Sequence, residues 1–195
     1  MLLISTERVA RKEQHSHAHS LLGEGLRAFG VGYVDGVTPV IFGEHGKPSL
    51  AEHPGLRYNI SHADGIMAVV ISEFECGIDC EPVRAYRPNV MKRVFGEAER
   101  EAVNSAPEAE RDLMFFRLWT LKEAYVKALG AGLTFPLREA EFALEGDKIL
   151  TKLSGCTFTQ YVINNEFTVS VCEISDSNAP HMSFKLQTSD THIVI

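Results

Sequence analysis

The sequence contains no long apolar run, and this absence limits the class of protein it can encode. No segment of the 195 residues approaches the about 20 consecutive apolar residues that a membrane-spanning helix needs. Residues 1–4 are apolar, which is shorter than the apolar core of roughly 7–15 residues in a secretory signal. We therefore expect a soluble, cytoplasmic protein without a membrane partner.

Cysteine is also scarce. The chain has four cysteines, Cys76, Cys80, Cys156 and Cys172, too few for a disulfide-stabilised scaffold at this length. Cys76 and Cys80 could mimic a metal-binding pair, but no later pair repeats their spacing. We expect reduced thiols that pack as small apolar side chains.

Basic residues are in the minority, with 19 lysines and arginines against 26 aspartates and glutamates and a formal net charge of −7. General nucleic-acid binding needs a basic surface that neutralises phosphates, so we expect no nucleic-acid partner. A few local lysines can still hold the phosphates of a small ligand on an otherwise acidic protein.

The hydrophobic pattern predicts an α+β fold. Hydrophobic residues make up 45% of the chain, enough for one core or for two small lobes packed together. The predicted helices are 6–29, 88–94, 97–105 and 109–130, and the predicted strands are 56–60, 66–72, 75–80, 140–145, 157–163, 166–174 and 182–187. We expect an N-terminal lobe over residues 1–80 and a C-terminal lobe over residues 81–195, in one compact unit.

Two acidic residues, Asp79 and Glu81, lie at the end of the predicted strand 75–80. Because side chains alternate along a strand, both point to the same side. Neighbouring carboxylates repel each other unless a proton or a cation lies between them, and a hard divalent ion such as Mg²⁺ prefers oxygen ligands. Taken alone, the pair is better explained as two solvated acids than as a metal-binding pair.

The long predicted helix carries Trp119, Glu123 and Lys127 at intervals of four residues, so these side chains lie along one face. That face presents an aromatic ring, a carboxylate and an ammonium group in line. Taken alone, it fits a core tryptophan followed by an ordinary surface ion pair between Glu123 and Lys127.

Three histidines, His15, His17 and His19, alternate with other residues in the first predicted helix. Their spacing allows a metal-binding tract on a strand, whereas on a helix only His15 and His19 share a face. We expect a surface cluster without a bound ion.

Four short segments occur in one order between residues 46 and 127: Gly46-Lys47-Pro48, Asn59-Ile60-Ser61-His62, Gly77-Ile78-Asp79-Cys80-Glu81 and Trp119-Thr120-Leu121-Lys122-Glu123-Ala124-Tyr125-Val126-Lys127. This combination resembles the 4′-phosphopantetheinyl transferases of the larger, Sfp-like type. The resemblance covers residues 46–132 and is faint elsewhere. It implies two similar α+β lobes that form a pseudo-dimer, with coenzyme A in the cleft between them.

The resemblance also implies an activity. A transferase of this type moves the 4′-phosphopantetheine arm of coenzyme A to a serine of an apo-acyl or peptidyl carrier protein and releases 3′,5′-ADP. By the same likeness, Asp79, Glu81 and Glu123 ligate Mg²⁺, or Mn²⁺, at the pyrophosphate. Lys127 holds the phosphates, Lys122 assists by its position, and Glu123 is the candidate general base.

The two N-terminal segments are implied to bind coenzyme A. Lys47 and Ser61 approach the 3′-phosphate, Gly46 and Pro48 border the adenine, and His62 donates a hydrogen bond to the phosphates. In our register, His19 stands where the family usually has an arginine that reaches the 3′-phosphate. Arg11 and Lys12 are the candidates to compensate for its absence.

The carrier protein is expected to dock between Arg84 and Phe116. The candidate apolar contacts are Met91, Val94, Phe95 and Phe115, although Phe115 fits the core better. Arg84 and Arg87 are read as solvated charges, with carrier contacts as the alternative.

Three other functions remain open at this point. The smaller, trimeric carrier-protein synthases are disfavoured by the chain length and by the Asp79-x-Glu81 pair. A non-catalytic module that binds coenzyme A or a carrier protein is the second alternative, and a magnesium-dependent phosphodiesterase is the third. We expect a monomer, because a two-lobed chain needs no partner to complete its cleft.

Overall fold

A computed structural model describes residues 1–175, 187–188 and 192–194. The fold is α+β, as predicted, with antiparallel strands and four α-helices in these ranges. In chain order the elements are β1 (Leu2–Ser5), α1 (Gln14–Arg27), β2 (Val40–Phe42), β3 (Pro48–Leu50), β4 (Arg57–Ala63), β5 (Ile66–Ser72), β6 (Glu75–Pro82), α2 (Pro88–Val94), α3 (Glu97–Ser105), α4 (Arg111–Leu129), β7 (Phe142–Glu145), β8 (Lys148–Thr151), β9 (Cys156–Ile163), β10 (Phe167–Ile174), β11 (Gln187–Thr188) and β12 (His192–Val194).

Two sheets form the centre of the molecule. One has the order β11-β12-β1-β5-β4, and the other has the order β6-β10-β9. All of β5 is buried: Ile66, Ala68 and Val70 pack in the core with strands of the second sheet, whereas Val69 and Ile71 pack with α1. The strand is therefore covered on both faces, as its continuous apolar run predicted.

Strand β6 divides its side chains between two layers in the same way. Cys76, Ile78 and Cys80 lie in the core between the sheets. On the other face, Gly77 lies against the backbone of α4 and Asp79 contacts Lys127 of α4. The layers thus run α1, first sheet, second sheet, α4, and the predicted acidic face of β6 is turned toward the long helix.

Polar side chains of β4 join the two sheets. Asn59 accepts a hydrogen bond from the backbone N–H of Ile78 (2.9 Å), and the hydroxyl of Ser61 accepts one from the N–H of Cys80 (3.2 Å). Because these side chains replace a backbone ladder between β4 and β6, Ser61 is held beside the acidic end of β6.

Helix α4 ends where the sequence predicted. Gly130 follows its last residue with φ 65° and ψ 23°, a left-handed conformation that glycine adopts without steric cost. The predicted helices 88–94 and 97–105 are confirmed at the same bounds. In the described part of the chain, no helix is both long enough and apolar enough to cross a membrane.

The sequence predictions failed mainly where elements are short. The predicted helix 6–29 is shorter in the structure, where α1 begins at Gln14. Residues 2–5, for which no element was predicted, form β1, which pairs with β5 and β12. The hairpins β2–β3 and β7–β8 place strands at 40–42, 48–50 and 148–151, where none was predicted. Of the predicted strand 182–187, residues 182–186 lie outside the described residues. The lobe boundary at residue 80 stays a prediction.

Candidate active site

A glycine brings the long helix onto the acidic strand. A Cβ atom at Gly77 would lie 2.1 Å from the carbonyl oxygen of Ala124 and 2.2 Å from the backbone nitrogen of Ala128. Only glycine, facing small alanines, allows the α4 backbone to pass this close to β6. As a result, the ammonium group of Lys127 reaches Asp79, with 2.6 Å between Nζ and Oδ1.

Asp79 is a buried carboxylate with one unpaired oxygen. Its Oδ1 accepts hydrogen bonds from Lys127 Nζ and from Ser61 Oγ (3.1 Å), whereas its buried Oδ2 has no hydrogen-bond partner among the described residues. Burial raises the pKa of Asp79, against the opposing effect of Lys127 and Ser61. A buried acceptor without a partner is costly, so Oδ2 is a natural ligand atom for a cation.

Two further carboxylates share this electrostatic environment. Burial raises the pKa of Glu123 and of Glu81, and the negative charge of Asp79 raises both further. Arg84 partly offsets the effect at Glu81 by donating a hydrogen bond to Oε2 over 2.8 Å. Three carboxylates that disfavour one another's ionisation form a site that a divalent cation would neutralise.

The three carboxylates are not gathered as tightly as ligands around one ion. Among the described residues, three candidate ligand atoms lie within 4.8 Å of one another at His15, His19 and Asp35. The carboxylates of Asp79, Glu81 and Glu123 do not form such a group. The donor set at Asp79 nevertheless fits Mg²⁺, because all the donors are oxygens and Asp79 Oδ2 is unpaired. Ligation by all three carboxylates requires side-chain movement, and the metal site stays a prediction.

A cleft of about 310 Å³ lies beside this cluster. Five of the predicted site residues line it: Gly46, Lys47, Pro48, Glu123 and Lys127. Phe135 and Leu137 also line the cleft. Sequence reasoning missed both, because they follow α4 in a segment without a periodic pattern. Asn59 and Ile60 of the second segment line it as well, so the structure brings the first, second and last of the four segments to one cavity.

Lys47 is engaged by protein groups. Its Nζ donates hydrogen bonds to Glu75 Oε2 and to the carbonyl oxygen of Ala128, each over 2.6 Å. The second contact places a positive charge at the carboxyl end of α4, where it is favourable. Binding of a phosphate by Lys47 would have to compete with Glu75, and this role stays a prediction.

Ser61 and His62 are adjacent in sequence, but their side chains lie in different parts of the site. The buried hydroxyl of Ser61 lies between Asp79 and Lys127, inside the acidic cluster. His62 is exposed and lines a second cavity of about 650 Å³ together with Glu81 and Arg84. Partial burial lowers the pKa of His62, and the positive charges of His15 and Lys127 lower it further.

Lys122 does not face the cleft, so the prediction that it helps to hold phosphates is wrong. Its side chain is fully buried and forms an ion pair with Glu99 over 2.8 Å. It also donates hydrogen bonds to the carbonyl oxygens of Leu137 (2.9 Å) and Ala140 (2.6 Å). Its position next to Glu123 places it on a different face of the helix.

The predicted apolar contacts for a carrier protein are also wrong. Met91, Val94, Phe95 and Phe115 are all at most 6% exposed and belong to the core beneath α4. For Phe115 this is the core position that the sequence favoured. A partner protein cannot reach these side chains without disrupting the core.

A model of the 4′-phosphopantetheinyl transferase superfamily matches residues 75–187, which include Asp79, Glu81, Glu123 and Lys127. This match spans more than half of the chain. The chain belongs to this superfamily. The Sfp-like character that the four segments indicated is supported by the relatives below.

Two curated relatives are named 4′-phosphopantetheinyl transferases, both from Bacillus subtilis. One is 26% identical over 185 residues, which cover 88% of this chain and 83% of the relative. The other, Sfp, is 27% identical over 134 residues, which cover 66% of this chain and 60% of Sfp. The chain therefore spans less than two thirds of the length of Sfp.

Among solved structures, a holo-(acyl-carrier-protein) synthase from Bacillus anthracis, in complex with coenzyme A (3′,5′-ADP), is similar with a TM-score of 0.45. The match is 20% identical and covers 53% of this chain and 97% of the synthase.

Proposed function

We propose that this protein transfers the 4′-phosphopantetheine arm of coenzyme A to a serine hydroxyl of an apo-carrier protein and releases 3′,5′-ADP. The observation that carries the proposal is the convergence of Asp79, Glu123 and Lys127 beside a cleft, within the segment that matches the superfamily. Two of the curated relatives carry the name of this activity.

The reaction exchanges one phosphorus–oxygen bond for another. The serine oxygen attacks the phosphorus attached to the pantetheine arm, and the bond from that phosphorus to the bridging oxygen breaks. Negative charge moves to the bridging oxygen of the departing 3′,5′-ADP. Fixed cationic groups stabilise such developing charge, often by several kcal/mol.

We assign the charge-stabilising role to Lys127, whose ammonium lies next to the cleft. Mg²⁺, or Mn²⁺, held by Asp79, Glu81 and Glu123 would neutralise the pyrophosphate. Glu123 is the candidate base for the serine proton. Its raised pKa makes it a stronger base than an ordinary glutamate in the absence of a cation, and ligation would reduce that advantage.

We place coenzyme A along the cleft bordered by Gly46, Lys47 and Pro48, with Ser61 and His62 nearer the phosphates. The cleft is lined by residues of both halves of one chain, which supports a monomeric enzyme. A cytoplasmic location stays a prediction, in keeping with the free state of Cys76 and the other three cysteines.

We propose that the carrier protein docks at a groove of about 290 Å³ that adjoins the acidic cluster through Glu81. Arg84 and Arg87 line this groove and are exposed, whereas Tyr86 and Trp119 supply half-buried aromatic rings. The two arginines would attract an acidic partner helix even though this protein is acidic as a whole.

The decisive experiment incubates the purified protein with coenzyme A, Mg²⁺ and several apo-carrier proteins, and follows the carrier mass by mass spectrometry. We expect the carrier to gain the phosphopantetheine arm and 3′,5′-ADP to appear in equal amount. Excess EDTA should stop the gain, and so should Asp79→Asn, whereas Asp147→Asn in an exposed turn should not.

Release of 3′,5′-ADP in the absence of any carrier would instead indicate a phosphodiesterase. Binding of coenzyme A without turnover on every carrier would indicate a non-catalytic module.

A further inference from the structure

A compact cluster of histidines and a carboxylate lies apart from the carboxylates around Asp79, in a cavity that it shares with the predicted coenzyme A-binding residues Pro48 and His62. Helix α1 places His15 and His19 one turn apart on the same face, with their ring centroids 4.3 Å from each other. Asp35, in the turn that follows the helix, extends its carboxylate between them. His17, on another face of the helix, takes no part in this cluster.

Each histidine of the cluster has one ring nitrogen close to a carboxylate oxygen of Asp35. His15 Nε2 lies 3.3 Å from Asp35 Oδ2, and His19 Nδ1 lies 3.1 Å from Asp35 Oδ1. Ligand atoms about 2.0–2.1 Å from a tetrahedral Zn²⁺ lie about 3.3 Å from one another. One ligand atom from each of His15, His19 and Asp35 lies within 4.8 Å of the other two, and in the described part of the chain these three residues form the group that meets this distance.

We propose that His15, His19 and Asp35 form a binding site for a divalent transition-metal cation of the Zn²⁺ type. Two imidazoles and one carboxylate are a ligand set that Zn²⁺ accepts with its fourth position open to water or to a further ligand. Mg²⁺ prefers oxygen donors, so the two metals are directed to different sites of this chain. The proposal reverses the sequence expectation of a cluster without an ion.

The surroundings supply both a competitor and a candidate fourth ligand. The hydroxyl of Tyr33 lies 2.6 Å from His19 Nδ1, and a cation on that nitrogen displaces it. The ring of His62 lies 6.5 Å from that of His15, centroid to centroid. Both belong, with the three ligands, to the lining of a cavity of about 590 Å³. The bound cation therefore adds positive charge at that cavity and ties α1 to the turn at Asp35.

The test uses the full-length, untagged protein with Mg²⁺ in large excess, so that the carboxylate site does not contribute. Zn²⁺ is titrated against a competing chromophoric chelator, and thermal unfolding is followed in parallel. We expect one equivalent of Zn²⁺ to bind and to raise the unfolding temperature, because a ligand that binds only the folded state stabilises it.

His15→Ala, His19→Ala and Asp35→Asn should each weaken Zn²⁺ binding at least tenfold and abolish the rise in unfolding temperature. His17→Ala is the matched control and should bind as the unchanged protein does. Circular dichroism at 20 °C confirms that each variant is folded, and Asp35→Asn preserves the shape of its side chain.

Absence of Zn²⁺ binding by the unchanged protein overturns the proposal. So does binding that survives all three substitutions, or binding that His17→Ala weakens as much as His15→Ala does.

Discussion

Asp79 is the residue on which the candidate site depends, because its carboxylate is buried with one oxygen paired and the other unpaired. Lys127 pairs with only one of the two carboxylate oxygens of Asp79. The carboxylates of Glu81 and Glu123 are close enough to interact electrostatically with Asp79. Such a cluster is unfavourable in isolation and becomes favourable when a cation joins it. The pKa shifts and the proposed metal role thus have one common cause.

The raised pKa values predict how the affinity for Mg²⁺ depends on pH. A raised pKa means that protons bind Asp79, Glu81 and Glu123 at a higher pH than they bind an ordinary carboxylate. Protons compete with the cation, so affinity should be full at high pH and should fall on acidification before an exposed carboxylate would begin to titrate. Calorimetric titration with Mg²⁺ or Mn²⁺ at several pH values measures this, and an affinity that stays constant down to about pH 4 would contradict it.

Lys127→Ala should reduce the transfer rate by on the order of 10², because it removes a fixed charge next to the breaking bond. Lys148→Ala, at an exposed lysine in β8, is the matched control and should leave the rate unchanged. The measurement is the rate of carrier modification under saturating coenzyme A. A loss of less than twofold would remove Lys127 from the proposed chemistry.

At the scale of elements, the approach of α4 to β6 is set by residue size. Gly77 should not tolerate a methyl group, since the added Cβ would overlap the backbone at Ala124 and Ala128. We expect Gly77→Ala to lower the free energy of unfolding by about 3 kcal/mol or more, at the upper end of overpacking effects. Denaturant unfolding gives the value.

Gly55→Ala is the control for this substitution, because a Cβ at Gly55 would meet no atom within 4 Å. If both variants unfold at the same denaturant concentration, the close contact between α4 and β6 is not what positions Lys127.

The buried ion pair between Lys122 and Glu99 connects α4 to α3. Lys122→Ala leaves Glu99 buried without its cation, and we expect a loss of about 3–5 kcal/mol in the free energy of unfolding. Lys152→Ala, at an exposed position, should cost little. Under conditions in which the Lys122→Ala variant is still folded, its affinity for coenzyme A should be unchanged. A large loss of affinity in a variant as stable as the unchanged protein would indicate that Lys122 does help to hold the phosphates.

The elements of seven or more residues could be predicted from the sequence, whereas most of the strands of four residues or fewer could not. Strand β5 is a continuous apolar run, and the structure confirms the predicted bounds of this strand and of helices α2 and α3. Strand β1 has only four residues and is stabilised by pairing with β5 and β12, which no local pattern reveals. The predicted first helix also began too early, at residue 6, whereas α1 begins at Gln14.

At the scale of the whole molecule, the cleft depends on how the two sheets are joined. Asn59 and Ser61 on β4 accept hydrogen bonds from β6, which holds the N-terminal half against the acidic strand. The sequence motif Asn-Ile-Ser-His thus has a structural role that its likeness to other transferases did not suggest. Two of its four residues connect the sheets.

Part of the site could be predicted because alternation in β6 and the helical period in α4 determine which side chains share a face. Asp79 with Glu81, and Glu123 with Lys127, follow from these two rules. The partners of Lys47 and Lys122 depend on tertiary contacts with Glu75 and Glu99, and no local rule gives them.

The most direct test of the account is a crystal structure with coenzyme A and Mn²⁺, whose anomalous scattering locates the metal. We predict one anomalous peak at the acidic cluster, coordinated by oxygens of Asp79, Glu81 and Glu123, with Lys127 moved from Asp79 to a phosphate of coenzyme A. An anomalous map without a peak at Asp79, in crystals that contain bound coenzyme A, would contradict the central claim.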